Sequence, residues 1–412
     1  MKIRIFPPEE MLDARVTLPL SKSMSVRAAA MAAHGARYDA PLADCADTEA
    51  MKRVAAAAQG TTDAGDSGAA LRFGAALAAA TEGTDVTITG SPRLLSRPAD
   101  ALLDALGALG ADISRTPEGA IRVRGRRLDG GAAAVDASES SQFVSALLMA
   151  APLMRDGLTL TIDWNQPSLP YIDMTLAMMR ARGIDAARDG IEIRVRPGAY
   201  RAPECPDVER DWSAAAFWYE TAALTAGFVS LPGLRADSVQ GDRAAAEIFS
   251  RLGVATAFGS DDCPDGAALC ADPEMHARID LDCSPMPDLV PAIAVTAAML
   301  GVPFELSGVQ ALRLKECDRV EAIIAELAKA GIIAEYDRGT LSWDGRRVPV
   351  FEMPAFDAHG DHRMAMALAP VAVCAPGITI SGAECAGKSY PAFWDDLAAA
   401  GFEIENADEE ES

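Results

Sequence analysis

Leu176-Ala-Met-Met-Arg-Ala-Arg-Gly183 decides the fold of this 412-residue chain: a helical pattern stops at glycine, and an apolar residue then opens a strand-like run. Glycine supplies the left-handed residue that lets a helix stop and turn. The same ending recurs in Leu102-Leu-Asp-Ala-Leu-Gly-Ala-Leu-Gly110, Ala246-Glu-Ile-Phe-Ser-Arg-Leu-Gly253, Ile323-Ile-Ala-Glu-Leu-Ala-Lys-Ala-Gly331 and Trp394-Asp-Asp-Leu-Ala-Ala-Ala-Gly401. These glycines follow one another at intervals of roughly 75 residues. An earlier member of the set ends at Gly60.

A second ladder runs in step with the first. More apolar helices start at Ser23, Ser67, Ser140, Ser213, Asp288 and Asp361, residue types that cap helix N-termini well. Val86-Thr-Ile-Thr-Gly90, Ile121-Arg-Val-Arg-Gly125, Leu158-Thr-Leu-Thr-Ile162, Ile191-Glu-Ile-Arg-Val195 and Ile378-Thr-Ile-Ser-Gly382 lie between the helix pairs and read as strands. An alanine- and glycine-rich chain produces some helix–glycine endings by chance, but two independent ladders in one register argue against that. The expectation is an α/β fold of two similar domains, each of three repeated α/β units, six in all with the first shortened. Residues 21–209 would form one domain, and residues 1–20 with 210–412 the other.

Composition narrows the function classes. Lys and Arg number 37 against 60 Asp and Glu, a net charge of −23, which disfavours nucleic acid or anionic lipid as the main partner. The acidic stretch Glu405-Asn-Ala-Asp-Glu-Glu-Glu-Ser412 reads as a solvated tail. The N-terminus lacks the uncharged segment of a signal peptide. The longest uncharged apolar run, 289–304, holds two prolines and is too short to span a bilayer. A cytoplasmic protein is expected. Eight cysteines include no Cys-x-x-Cys pair, and His359 and His362 lack the glutamate of a zinc motif, so no metal site is expected.

The helix starts carry the residues that look chemical. A helix N-terminus presents unpaired N–H groups and about half a positive charge, and so attracts anions. Lys22, Ser23 and Arg27 cluster at the first start, although capping plus solvent-facing cations would also explain them. Ser140, Ser141 and Gln142 precede an apolar run; capping accounts for one of the three, an oxyanion ligand for all of them. Lys315, Glu316 and Arg319 mix both signs at a helix start, as a surface ion-pair network also does. Arg363, ahead of apolar Met364-Ala-Met-Ala-Leu368, is harder to read as a solvated charge.

Eight segments in order resemble the 5-enolpyruvylshikimate-3-phosphate synthase family of enolpyruvyl transferases, over nearly the whole chain. They are Leu18-Pro-Leu-Ser-Lys-Ser-Met-Ser-Val-Arg27, Asp66-Ser-Gly-Ala-Ala-Leu-Arg72, Ser96-Arg-Pro98, Ser140-Ser-Gln-Phe143, Ser168-Leu-Pro-Tyr-Ile-Asp173, Leu314-Lys-Glu-Cys-Asp-Arg319, Asp361-His-Arg-Met-Ala-Met366 and Lys388-Ser-Tyr-Pro391. The resemblance implies two three-unit domains closing over an interdomain active-site cleft. It also implies transfer of the enolpyruvyl group of phosphoenolpyruvate to the 5-hydroxyl of shikimate 3-phosphate, with release of phosphate and without a cofactor.

By matching motif, Lys22, Ser23, Arg27, Ser140, Ser141, Gln142, Ser168, Tyr171, Asp288 and Lys315 would bind shikimate 3-phosphate. Lys22, Gly68, Arg97, Gln142, Arg319, Arg363 and Lys388 would bind phosphoenolpyruvate. Lys22, Asp288 and Glu316 would be catalytic, in a monomer that binds neither nucleic acid nor membrane. Asp66, Ala69, Phe73, Ala311 and Cys317 depart from the family's usual residues. Asp66 reads first as a cap of its own helix, and otherwise as a like charge facing phosphoenolpyruvate. The sister transferase acting on UDP-N-acetylglucosamine would show Lys-Asn in place of Lys22-Ser23 and a loop with a reactive cysteine. A non-catalytic repeat scaffold would not need Lys22, Asp288, Glu316 and Lys388 together.

Overall fold

The computed structural model describes residues 1–35, 39–163, 167–203 and 208–408. Residues 409–412 of the acidic stretch lie outside that set. Five four-stranded sheets repeat one plan: two parallel strands, then two antiparallel ones. Gln59–Asp63 runs parallel to Asp85–Thr89, which pairs antiparallel with Ile121–Arg124, itself antiparallel to Asp112–Arg115. Gly131–Ala134, Leu158–Thr161, Glu192–Val195 and Ala186–Asp189 repeat that order. So do Ile279–Asp282, Phe304–Ser307, Thr340–Trp343 and Glu335–Asp337. Parallel neighbours need a long crossover, and the apolar helices supply it. Gly68–Ala79, for example, joins the first parallel pair.

The other two sheets borrow strands from the N-terminus. Lys2–Phe6 lies between Ile378–Ser381 and Glu403–Asn406, with Ala355–Asp357 at the edge. Asp13–Arg15 runs parallel to Phe228–Pro232, beside Cys263–Met275 and Leu252–Ser260. The shortened first unit holds helices Lys22–Ala32 and Ala46–Ala56. Its sheet is reduced, among the described residues, to one isolated bridge between Gly35 and Tyr200.

The chain divides into two compact units, Leu20–Val208 and Met1–Pro19 with Glu209–Ser412. Each has its own core. In the first, helices Gly68–Ala79 and Ser141–Ala150 are buried nearly all round, with Phe73 and Phe143 fully enclosed. In the second, Trp212, Trp218 and Tyr219 fill the centre. Among the described residues no helix is long and apolar enough to cross a membrane.

The ladders meet the structure with specific corrections. Gly110, Gly183, Gly331 and Gly401 all have positive φ and directly follow the last capping residue. At Gly183 (φ +79°) the next residue, buried Ile184, donates back to Met179 O at 3.1 Å. Gly331 (φ +77°) sends Ile332 back to Leu327 O at 3.0 Å in the same way. Each pair closes the helix and anchors the following strand in the core. Gly60 and Gly253 instead lie inside strands, because their helices stop at Ala56 and Ser250.

Ser67, Ser140 and Asp361 cap their helices as expected. Ser21, not Ser23, caps Lys22–Ala32, and Asp211, not Ser213, caps Trp212–Thr225. Asp288 sits in a short 3-10 turn, Pro287–Leu289, ahead of Val290–Leu300.

Candidate active site

In the unit Leu20–Val208, Ser21's role as cap puts Lys22 and Ser23 in the first helical turn. Lys22 Nζ lies 3.5 Å from Asp47 Oδ2, and both side chains are largely buried. Asp47 occupies the first turn of Ala46–Ala56, where a carboxylate is favoured. Arg27 follows one turn after Ser23 and is buried. Its Nε donates to Thr175 Oγ1 (2.7 Å), Nη1 to Ser23 O (2.8 Å) and Nη2 to Ser145 Oγ (3.1 Å). Its guanidinium lies 5.3 Å from the centre of the Phe73 ring. Burial lowers the Arg27 pKa to about 10, so it stays charged at neutral pH. Among the described residues no carboxylate pairs with it, and a buried cation with neutral partners is suited to an anionic ligand.

Tyr171 O accepts from Thr175 Oγ1 at 2.7 Å and from Arg27 Nη2 at 3.4 Å, which brings the Ser168–Tyr171 turn to the same arginine. Ser168 is left-handed (φ 58°) and makes no capping bond, a conformation that costs a non-glycine residue about 1–2 kcal/mol. Ser140 caps Ser141–Ala150 through Gln142 N at 3.3 Å. Gln142 Oε1 then accepts from Arg72 Nη1 at 2.7 Å.

Arg72 also donates to Pro98 O at 2.6 Å and lies 5.3 Å from the centre of the Phe143 ring. A methyl group on Gly68 would meet Arg72 Nη1 at 2.7 Å, Arg97 Nη1 at 3.1 Å and Gln142 Oε1 at 3.3 Å. Two guanidinium groups therefore crowd the first residue of helix Gly68–Ala79. The helix end is itself positive, so these like charges favour an anion among them. Asp66 is not the cap of this helix: Ser67 Oγ accepts from Ala70 N at 3.2 Å. Asp66 is exposed and accepts from the Ser91 hydroxyl.

The other unit gathers a tighter cluster around Arg319, the first residue of helix Arg319–Lys329 and only 1% exposed. Its Nε donates to Asp361 Oδ2 (2.6 Å), Nη1 to Asp288 Oδ1 (2.9 Å) and Nη2 to Glu316 Oε2 (2.9 Å). Asp361, fully buried, accepts a second bond from Arg319 and caps the next helix through Arg363 N at 2.9 Å. Asp288 Oδ2 accepts from Arg363 Nη2 at 2.8 Å, and Lys315 Nζ is 3.5 Å from its other oxygen. Lys388 Nζ donates to Glu316 Oε1 at 2.9 Å. Four cations thus interleave with three carboxylates where little water reaches them.

Burial opposes the charge on Arg319, but Asp361, Glu316 and Asp288 together raise its pKa well above the ordinary value. Asp242, buried and bonded by the Ser213 hydroxyl, is pushed up to about 6 by burial and by the like charge of Asp288, against the pull of Arg363. Burial and Asp361 push the Cys317 thiol up, so Cys317 is a protonated group beside the cluster and not a thiolate nucleophile. His359 Nε2 meets Glu326 Oε1 at 2.7 Å, and His362 is buried beside Asp361.

The structure thus brings Arg27, Ser23 and Tyr171 together, Gly68, Arg97 and Gln142 together, and Asp288, Lys315, Glu316, Arg319, Arg363 and Lys388 together. From sequence alone Arg72, Asp47 and Asp242 carry no role in the site. Arg72 lies inside the segment Asp66-Ser-Gly-Ala-Ala-Leu-Arg72, and Asp361 reads from sequence only as a cap. For Asp47 and Asp242 no local signal separates them from the many other acidic residues.

A family model described as EPSP synthase (3-phosphoshikimate 1-carboxyvinyltransferase) matches residues 42–397. The 3-phosphoshikimate 1-carboxyvinyltransferase of Bacteroides fragilis is 40% identical over 406 residues, covering 97% of this chain and 98% of that protein. The enzyme of the same name from Syntrophobacter fumaroxidans is 39% identical over 337 residues, 80% of this chain and 78% of that protein. The solved EPSP synthase of Acinetobacter baumannii covers 98% of this chain and 100% of that one, with a TM-score of 0.76 at 22% identity. At that identity the likeness speaks for the fold alone.

Proposed function

Because the chain belongs to the EPSP synthase family, it is a 3-phosphoshikimate 1-carboxyvinyltransferase, and we propose which of its residues carry the reaction. The enzyme transfers the enolpyruvyl group of phosphoenolpyruvate to shikimate 3-phosphate in aromatic amino-acid biosynthesis, the shikimate pathway. In the proposal Lys22, Ser23, Arg27, Ser140, Ser141, Gln142, Ser168, Tyr171, Asp288 and Lys315 hold shikimate 3-phosphate. Gly68, Arg97, Arg319, Arg363 and Lys388 hold phosphoenolpyruvate, with Lys22 and Gln142 shared.

The observation that carries the proposal is the Arg319 cluster. Its four cations are paired with Asp288 and Glu316. The phosphate and carboxylate of phosphoenolpyruvate compete for Arg319, Arg363 and Lys388, and that exchange frees the two carboxylates for proton transfer. Asp288 takes the proton of the 5-hydroxyl as its oxygen bonds to the enol carbon. Glu316 or Lys22 protonates the methylene carbon, giving a tetrahedral ketal. Phosphate then leaves, and a proton lost from the new methyl group restores the double bond. Groups positioned in this way contribute about 10²–10⁴-fold each. The cations stabilise the developing charge directly, so the proposal invokes no metal.

The domain boundaries near residues 20 and 209 are supported by the two units with separate cores. The net charge of −23 supports a protein that acts without nucleic acid. We place it in the cytoplasm as a monomer. The test is phosphate release from phosphoenolpyruvate with shikimate 3-phosphate, with UDP-N-acetylglucosamine and with neither, in wild type and in Lys22→Ala, Asp288→Ala and Glu316→Gln. Release only with shikimate 3-phosphate, lost in all three variants at saturating substrate, is expected. Wild-type turnover in the variants would return these residues to a surface ion-pair role.

A further inference from the structure

Arg97 poses a positioning problem. Among the described residues its side chain makes no hydrogen bond or ion pair, and its buried Nε has no partner. Among the described residues no polar contact therefore orients the guanidinium from its own end, yet Nη1 lies 3.1 Å from the methyl position on Gly68. Its aim depends on where the backbone of 96–98 stands.

That backbone is held at successive groups. Arg97 N donates to Leu94 O at 3.1 Å, and Pro98 fixes its own φ. Arg72, already at the anion site, donates to Pro98 O at 2.6 Å. Arg97's own carbonyl is held by Arg115, the last residue of strand Asp112–Arg115, whose Nη2 donates to it at 3.1 Å. Among the described residues the other side-chain partner of Arg115 is Asp100, 3.5 Å away and largely exposed, a contact of the kind that contributes little.

The geometry points to Arg115 as a positioning residue for phosphoenolpyruvate: it ties the carbonyl of Arg97 to the sheet and so helps to set the aim of a cation whose side chain has no anchor of its own among the described residues. This rests on the assignment of Arg97 to phosphoenolpyruvate. Arg115 touches no substrate; it acts through Arg97.

A double-mutant cycle tests it. Arg115→Met keeps the aliphatic stem and removes the donors, and should raise KM for phosphoenolpyruvate about tenfold, the scale of one lost hydrogen bond to a charged group. Turnover and KM for shikimate 3-phosphate should stay within about twofold. Asp100→Asn, the control, should leave all three unchanged. Once Arg97→Ala has removed the cation, Arg115→Met should add nothing further. Should Arg115→Met fold poorly, Arg115→Gln carries the same cycle. If Arg97→Ala raises KM but Arg115→Met does not, or if its effect persists in full without Arg97, the positioning role is wrong while the site assignment stands. If Arg97→Ala itself leaves KM for phosphoenolpyruvate unchanged, the site assignment fails and this inference with it.

Discussion

Replacing Gly68 by alanine sets helix stability against anion binding. Gly68 is the first residue of helix Gly68–Ala79 and its backbone is not left-handed, so alanine fits the chain there. Alanine also restricts the unfolded state, a gain of about 0.4–1 kcal/mol. The new methyl group would lie 2.7 Å from Arg72 Nη1. Ordinary contact requires a retreat of about 0.7 Å. The bond from that nitrogen to Gln142 Oε1, now 2.7 Å, would lengthen only to roughly 3.0 Å, because Gln142 Oε1 lies to the side of that retreat, so the bond survives with the guanidinium displaced. Arg97, at 3.1 Å, would have to give by a few tenths more. If the displaced guanidinium groups forfeit one charge-assisted hydrogen bond to the anion, worth about 1.5–3 kcal/mol, KM for phosphoenolpyruvate should rise about tenfold. KM for shikimate 3-phosphate should change far less, because Arg27 and the Ser168 turn are untouched. Steady-state kinetics with each substrate varied, alongside thermal melts, separate the two effects. An unchanged KM for phosphoenolpyruvate in a folded Gly68→Ala enzyme would refute the placement of the anion at this helix end.

Glu220 lies fully buried in helix Trp212–Thr225, and burial raises its pKa well above 4.5 against the weaker pull of the Thr296 hydroxyl. A raised carboxyl stabilises the fold below its unfolded pKa, and that contribution is lost as pH rises. Glu220→Leu should therefore stabilise by about 1–3 kcal/mol and flatten the fall of melting temperature above pH 4.5. Asp242, pushed up to about 6, follows the same sign: its contribution fades as pH rises from 3.8 through 6, and melts of Asp242→Asn should lack that step. Arg319→Met would take from buried Asp361 its arginine partner and from Asp288 and Glu316 one cation each, and urea unfolding should show a loss of about 3–5 kcal/mol. The added change Asp361→Leu should recover part of that loss.

Local chemistry carried the repeat. A helix that must stop and re-enter the core needs a left-handed residue followed by an apolar one, and this is visible within about six residues at Gly110, Gly183, Gly331 and Gly401. Alternating runs such as Leu158-Thr-Leu-Thr161 declared their strands for the same reason. Neighbouring hydroxyls and carboxylates compete to be the cap, so Ser21 and Asp211 displaced Ser23 and Ser213. The insertion of Lys2–Phe6 between strands from the far end of the chain depends on backbone pairing, which leaves no mark on side-chain pattern. The site divides along the same line. Lys22, Arg319 and Arg363 stand out by their place at helix starts, a property of the sequence by itself, whereas Arg97 and Lys388 are marked only by the family resemblance. The cations' partners are set by distance in space: Asp361 reaches Arg319 across 42 residues and Lys388 reaches Glu316 across 72. Coulomb attraction falls with separation through space, whatever the separation along the chain. Only the folded protein could decide which carboxylate each cation holds.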